Sequence, residues 1–440
     1  MAFCFFCSCF CLFPTFVKNL QSLDNSASNR NDPYASLRYK EFNYYLVIRF
    51  AFVFALAMQF AIVEWKVYAL SGDPFSLGLI GLAEVIPAVL LAPFAGHLVD
   101  KREKRDMLLK CVVAYLAIST GLFLLTWDKA VEGISTHHVL LMIYVLVFFG
   151  GVVRSFVSPS NFSLMSLLVP RELYANASTW SSSAWQIGGV LGPALGGFCI
   201  YWFGVHWSML LVVIIFLAPL YSLIQIKPKP VYYTPKGETF FEGLTSGMRF
   251  VWKTKVVLGA MALDMFAVLF GGAVAMLPAF ATDVLHVGSL GYGLLRSAPA
   301  VGALITMFIL AHKPLVNKPG LKLLAAIFGF GLCIIVFGLS TSFYLSMAAL
   351  LISGALDGIS VIIRQTILQL KTPDDMRGRV ASVSSMFVGS SNELGAFESG
   401  FMARQIGLVS SVVFGGCVTL GVVVTTYIIS PAMRKLDLKP

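Results

Sequence analysis

Eight ionisable residues stand inside otherwise apolar stretches of this 440-residue chain: Glu84, Arg154, Asp264, Arg296, Asp357, Arg364, Glu393 and Glu398. In lipid each such charge costs about 2.5–3.5 kcal/mol on insertion scales, so it needs a partner or a water-filled cavity. The chemistry open to this set is reversible protonation. Burial disfavours a carboxylate and a nearby guanidinium favours it, so a carboxyl group balanced between the two loads and releases a proton as its surroundings alternate. The alternative for any one of them is a static buried ion pair that fixes packing. Arg49 is placed to snorkel to one surface, and Glu64 and Lys66, near the far end of the same stretch, read as a local pair.

The elements that hold these residues are long and apolar. The chain is 58% hydrophobic and 12% charged, too few charges to cover a soluble protein of this length. A bilayer core needs about 20 apolar residues per helix, and lipid admits only helices or closed barrels. Twelve spans are expected, at 44–70, 76–97, 107–126, 138–159, 178–200, 205–226, 256–281, 290–311, 321–340, 343–366, 380–405 and 408–429. The connections 71–75, 201–204 and 406–407 are too short for anything but antiparallel neighbours. The fold class is thus an all-α polytopic membrane protein with twelve transmembrane helices in two six-helix bundles. The expected organisation is an N-terminal extension at 1–43, a bundle at 44–226, a linker at 227–255, a second bundle at 256–429 and a tail at 430–440. In the linker, Phe241, Leu244, Met248 and Val251 recur at three- and four-residue steps, which predicts an amphipathic helix over Phe240–Trp252 lying at the membrane surface; the alternative is a solvated connection.

Lys and Arg sort between alternate loops. Lys101, Arg102, Lys104, Arg105 and Lys110, then Arg171, then six residues from Lys227 to Lys255 belong to one set. Lys313, Lys318, Lys322, Lys371, Arg377, Arg379, Arg434, Lys435 and Lys439 continue it, whereas the other set has little beyond Lys66, Lys129 and Arg404. The positive-inside rule puts the first set, and with it both termini, in the cytoplasm. The net charge of +10 follows from this bias and from attraction to anionic lipid, with no nucleic acid required. Cys4, Cys7, Cys9 and Cys11 fit no defensible zinc spacing, and Met1–Val17 lacks the charged n-region and cleavage site of a secretory signal. The first forty residues read as disordered or as an upstream start. Cys111, Cys199, Cys333 and Cys417 lie singly within spans as small packers.

The two halves repeat. Ser76-Leu77-Gly78 … Glu84-Val85-Ile86-Pro87 resembles Ser289-Leu290-Gly291 … Arg296-Ser297-Ala298-Pro299, and Gly151-Val152-Val153-Arg154 resembles Gly354-Ala355-Leu356-Asp357. Pro170-Arg171-Glu172 … Ala177-Ser178 likewise resembles Pro373-Asp374-Asp375 … Ala381-Ser382. Glu84 thus answers to Arg296 and Arg154 to Asp357, each with reversed sign. The expectation is complementary charge across the interface of the halves, near the bilayer midplane, as in transporters built of parallel repeats.

Span two ends in Gly96-His97-Leu98-Val99-Asp100-Lys101-Arg102-Glu103-Lys104-Arg105. This resembles the Gly-x-x-x-Asp-Arg/Lys-x-Gly-x-Arg/Lys-Arg/Lys loop of the major facilitator superfamily. The resemblance implies that Gly96, Asp100, Lys101, Lys104 and Arg105 form a latch on the outward-facing state; a basic loop serving topology alone is the alternative. Glu103 departs from the pattern, where a second Gly is usual, which questions the local turn. Span five holds Gly188-Gly189-Val190-Leu191-Gly192-Pro193-Ala194-Leu195-Gly196-Gly197, which matches the superfamily's antiporter signature Gly-x-x-x-Gly-Pro-x-x-Gly-Gly. Small residues at this spacing let a neighbouring helix approach closely, and Pro193 bends the span. Arg154 with Pro159 looks like the family's span-four arginine motif, with Ser158 where Gly is preferred. Leu263-Asp264-Met265-Phe266 with Leu277-Pro278, and Gly389-Ser390-Ser391-Asn392-Glu393, are similar to the drug–proton antiporter branch that includes macrolide and siderophore exporters.

The resemblance implies a monomeric, proton-coupled exporter of hydrophobic or amphiphilic small molecules in a bacterial-type inner membrane, working by alternating access. Asp264 and Asp357 come first as proton sites, because spans seven and ten line the cavity in the resembling family; Glu84, Glu393 and Glu398 follow. An uptake symporter or lipid flippase of the same fold is the nearest alternative, and a non-transporting sensor or scaffold a more distant one. No enzyme is expected: there is no Walker-type phosphate loop, no His-Glu-x-x-His and no Gly-x-Ser-x-Gly, and no cofactor or metal is called for.

Overall fold

The structure is a computed structural model describing residues 32–230, 240–312, 318–373, 376–434 and 436. The cysteine-rich start, the middle of the linker, Lys435 and residues 437–440 of the tail lie outside the described residues, as do the details of Gly96 and Asp100 in the expected latch. The first half comprises α1 (Lys40–Ser71), α2 (Pro74–Lys101), α3 (Lys104–Thr126), α4 (Thr136–Met165) and α5 (Tyr174–Gln225). The linker contains α6 (Phe240–Lys253). The second half comprises α7 (Lys255–Phe270), α8 (Gly288–His312), α9 (Pro319–Leu339), α10 (Phe343–Lys371), α11 (Arg377–Ile406) and α12 (Leu408–Ile429).

Among the described residues ten helices are long and apolar enough to cross a bilayer. Twelve crossings result, because α5 breaks at Gly204 (φ +75°) into two limbs and α11 spans despite its charges. The short reversals rest on local chemistry. Gly72 (φ +61°) ends α1 and donates its N–H to Tyr68 O at 2.8 Å; Asp73 then caps α2, accepting from Phe75 N at 3.0 Å, with Pro74 in the first turn. Gly407 (φ +91°) turns α11 into α12. These reversals lie at the charge-poor face of the molecule, opposite the basic loops.

Glu103 resolves the turn its presence put in question. Its backbone is extended (φ −65°, ψ 126°), so no glycine is required, and its carboxylate accepts from Asp106 N at 2.6 Å and Arg105 N at 3.3 Å. It also accepts from Lys229 N at 3.0 Å, joining the cap of α3 to the linker. The predicted linker helix forms as α6. Its Val251 is buried among Val257, Met261, Val380 and Val383, while Trp252 is exposed. Gly247 lies against the Arg379 backbone, and Arg379 donates to Ser246 Oγ at 3.3 Å.

The start of the described chain is ordered, where the sequence suggested disorder up to residue 43. Ala35–Arg38 form one 3-10 turn, and Pro33 O accepts from Asn176 Nδ2 at 2.7 Å and Trp180 Nε1 at 2.9 Å. Beyond Phe270 the helical path of α7 loses regularity, passing through a 3-10 stretch at Gly272–Met276 and a wide turn at Phe280–Val284. Pro278 lacks a donor, and Gly272 packs against the Gly395 backbone of α11.

Between the halves, α2 packs on α11 and the first limb of α5 packs on α8. One continuous apolar core runs from the first half into Phe280, Tyr292, Phe337 and Leu350 of the second. Towards the basic loops the second half keeps separate cores, around Ala260, Leu323 and Ile367 and around Val257 and Val383. The halves are therefore joined at the charge-poor face. Lipid tails are as apolar as Leu, so this seal depends on close backbone approach rather than on a hydrophobic drive. A Cβ on Gly197 would lie 2.2 Å from Gly293 Cα, and one on Gly400 would lie 2.9 Å from Pro74 O.

Candidate functional site

At the interface of the halves, α2, α4 and α11 bring together Glu84, Arg154 and Glu393. Arg154 Nη1 lies 2.5 Å from Glu84 Oε1 and 3.2 Å from Glu393 Oε1. Two glycines allow it: a Cβ on Gly151 would meet Glu84 O at 2.2 Å, and one on Gly81 would meet Glu393 O at 2.9 Å. Glu84 is buried and its Oε2 has no hydrogen-bond partner, whereas the Arg154 side chain is 44% exposed. Two carboxyl groups thus share one guanidinium. One bond stays inside the first half; the other crosses to the second.

A second buried pair, Asp264 of α7 with Arg364 of α10, lies wholly in the second half beside Met261, Met265 and Phe387. A third crosses between the halves nearer the charge-poor face. Arg296 of α8 lies 3.3 Å from Glu64 of α1 and donates to Val274 O at 2.8 Å. Tyr292, one turn before Arg296, donates to Glu64 Oε2 at 2.9 Å. Tyr68 of α1 donates to Asp283 in the same region. Asp357 and Glu398 form no ion pair among the described residues.

One sequence reading of the pairing changes. Glu64 does not pair with Lys66, which instead meets Asp128 at 3.1 Å; residues two apart on a helix face different sides. Opposite charges do face each other across the interface, Arg154 with Glu393 and Arg296 with Glu64, while Glu84 pairs with Arg154 within its own half. The importance of Glu64 escaped the sequence reading, although an Arg one turn after a Tyr in an apolar span signals a buried acceptor nearby.

In the glycine-rich helix, Gly188, Gly192 and Gly196 form one stripe against α1. Added Cβ atoms would lie 2.9 Å from Phe50 O, 2.7 Å from Phe54 O and 3.4 Å from Met58 O. Gly197 faces α8 instead, and Pro193 stands inside the helix between them. In the basic loop, Lys104 Nζ donates to Val99 O at 2.5 Å and Arg102 O at 3.1 Å. Arg105 Nε donates to Leu223 O at 3.0 Å, tying α3 to the end of α5, and Lys101 is exposed.

The model of a family described as transmembrane secretion effector matches residues 31–440. The chain belongs to that family. Among its relatives, the enterobactin exporter EntS of Citrobacter koseri is 29% identical over 63% of the chain and 66% of that protein, just under two thirds of its length. EntS of Escherichia coli O1:K1 is 28% identical over 68% of the chain and 72% of that protein. Solved structures share the fold. A D-xylose–proton symporter superposes with a TM-score of 0.69 at 13% identity, covering 91% of this chain and all of the other (100%). A bacterial homolog of the human lysosomal transporter Spinster, inward-facing and unoccupied, gives 0.61 at 17% identity, covering 90% and 96%. The chain is a membrane transporter of the major facilitator superfamily and not an enzyme.

Proposed function

We propose that the protein is a proton-coupled exporter of hydrophobic or amphiphilic small molecules, with cargo of the kind named for its relatives, enterobactin, as the first candidate. The observation that carries this reading is Arg154 held between Glu84 and Glu393, one carboxylate from each half. A rocking motion of the halves alters the Arg154–Glu393 contact and leaves Glu84–Arg154 intact, so the proton affinity of Glu393 changes with conformation. With the basic loops in the cytoplasm, the sealed charge-poor face is the outer one. Proton entry from outside then drives substrate out. Asp264, Asp357 and Glu398 are further proton sites within this reading. Gly96, Asp100, Lys101, Lys104 and Arg105 serve as the conformational latch, and the stripe of Gly188, Gly192 and Gly196 holds α5 close against α1. The Trp252 face of α6 rests on anionic lipid.

The test is efflux from intact cells across a panel of dyes, antibiotics and siderophores, with and without a protonophore. Loss of efflux on collapsing the proton gradient supports the reading; gradient-independent efflux, or accumulation in place of efflux, overturns it.

A further inference from the structure

The repeat places Arg296 and Asp357 where the first half holds Glu84 and Arg154, with the charges exchanged. In the first half the two residues bond directly. In the second half they do not: Arg296 reaches across to Glu64, and Asp357 has no ionic partner among the described residues. A difference in register accompanies this. A Cβ on Gly151 would meet Glu84 O, whereas one on Gly354, its repeat image, would meet Pro299 O at 1.8 Å. Pro299 answers to Pro87, so α10 is displaced by about one turn along α8 relative to α4 along α2. Arg296 lies three residues before Pro299 and Asp357 three after Gly354, which separates them by about 9 Å along the helix axes. An arginine turned toward the basic loops spans such a gap; here it is turned the other way.

We propose that Glu64 and Asp357 are alternate proton sites exchanged through Arg296. With the charge-poor face sealed, Arg296 neutralises Glu64 and Asp357 holds the proton. With that face open, Arg296 moves to Asp357, restoring the pair that the first half keeps permanently, and Glu64 takes the proton. The three side chains carry two negative charges, one positive charge and one proton in both states, so the set stays neutral and neither state buries an unpaired charge. Tyr292, which donates to Glu64, holds the carboxylate toward Arg296 only in the sealed state. The other ionisable groups around the set are Tyr68 and Asp283 at the same face, the Glu84–Arg154–Glu393 group, and Arg364 on α10, engaged by Asp264. The adjoining first limb of α5 adds no acidic or basic side chain. This inference rests on the proton-coupled reading for its ion, but the arginine exchange is tested without transport.

Spin labels at Lys129 and Thr341, in loops of opposite halves at the charge-poor face, report its opening in full-length protein in nanodiscs, with native cysteines replaced by alanine. Glu64→Gln leaves Arg296 only Asp357 and shifts the population toward the open face; Asp357→Asn leaves it only Glu64 and shifts the population toward the sealed face. Each shift is expected to reach about tenfold, within the range of ordinary coupling energies. Glu64→Asp, which keeps the charge, restores the wild-type distribution if the shift is electrostatic rather than a folding defect. In an Arg296→Gln background neither carboxylate substitution shifts it. Because both states hold one proton, the wild-type distribution is expected to stay unmoved by pH over the range in which the set keeps that proton. Shifts in the same direction, an unmoved Asp357→Asn variant, or shifts that persist without Arg296 overturn the exchange. If the opposite shifts occur while efflux proves independent of the proton gradient, the exchange stands, and the proton is not its ion.

Discussion

The two halves share one backbone design and use it differently. In the first, the crossing of α2 and α4 at Gly151 brings Glu84 and Arg154 into a bond 2.5 Å long. In the second, the crossing of α8 and α10 at Gly354 holds Arg296 and Asp357 apart, and the arginine is lent to the first half. The first half is thus a charge-matched unit that offers Arg154 outward, and the second is completed only by contact with its partner. An interface in which one side's pairing is internal and the other's is borrowed has two arrangements of similar cost, which an alternating transporter requires.

The largest effect that sharpens this contrast is expected for Arg154→Gln. It leaves Glu84, which is buried, and Glu393 facing each other without a cation. Gradient-driven efflux should vanish and the thermal midpoint in detergent should fall; unchanged efflux would remove the shared arginine from the mechanism. Next are the glycine crossings. Gly151→Ala and Gly354→Ala each force a Cβ into a carbonyl less than 3 Å away, with about 1–3 kcal/mol lost to overpacking. Equal losses in thermal stability would bear out the shared backbone design, and a loss confined to one half would break it.

Asp264→Asn and Asp357→Asn separate structure from coupling. The first strips Arg364 of its buried partner and should lower the thermal midpoint clearly; the second removes no ion pair and should change it little. Wild-type proton-driven flux in both variants would exclude the two residues from coupling. Smallest is Glu103→Ala, which loses the cap of α3 and the tether to Lys229. About 1 kcal/mol of stability is expected to go, measured by thermal unfolding, with flux maintained.

Much of the framework was legible because it is local. Apolar runs of membrane length give the spans, and the three short reversals fall where Gly72, Gly204 and Gly407 permit a positive φ. The glycine spacing in span five anticipates a stripe against a neighbour, though not that Gly188, Gly192 and Gly196 face α1 while Gly197 faces α8. Glu103 was read as a missing glycine, because a motif records residue types while the cap depends on which N–H groups a carboxylate can reach. Neither the order of Pro33–Arg38 nor the reach of Arg296 to Glu64 was legible, since both depend on residues far away in the chain.

By itself, then, the sequence determined that the chain lives in a bilayer as twelve helices in two related halves, and which costly charges it retains there. Hydrophobic length and backbone freedom are properties of short segments, so they need no knowledge of neighbours. Only the tertiary structure decided who neutralises whom. An ion pair depends on the register of two packed helices to within a turn, and that register is set where glycine removes a Cβ and two backbones meet.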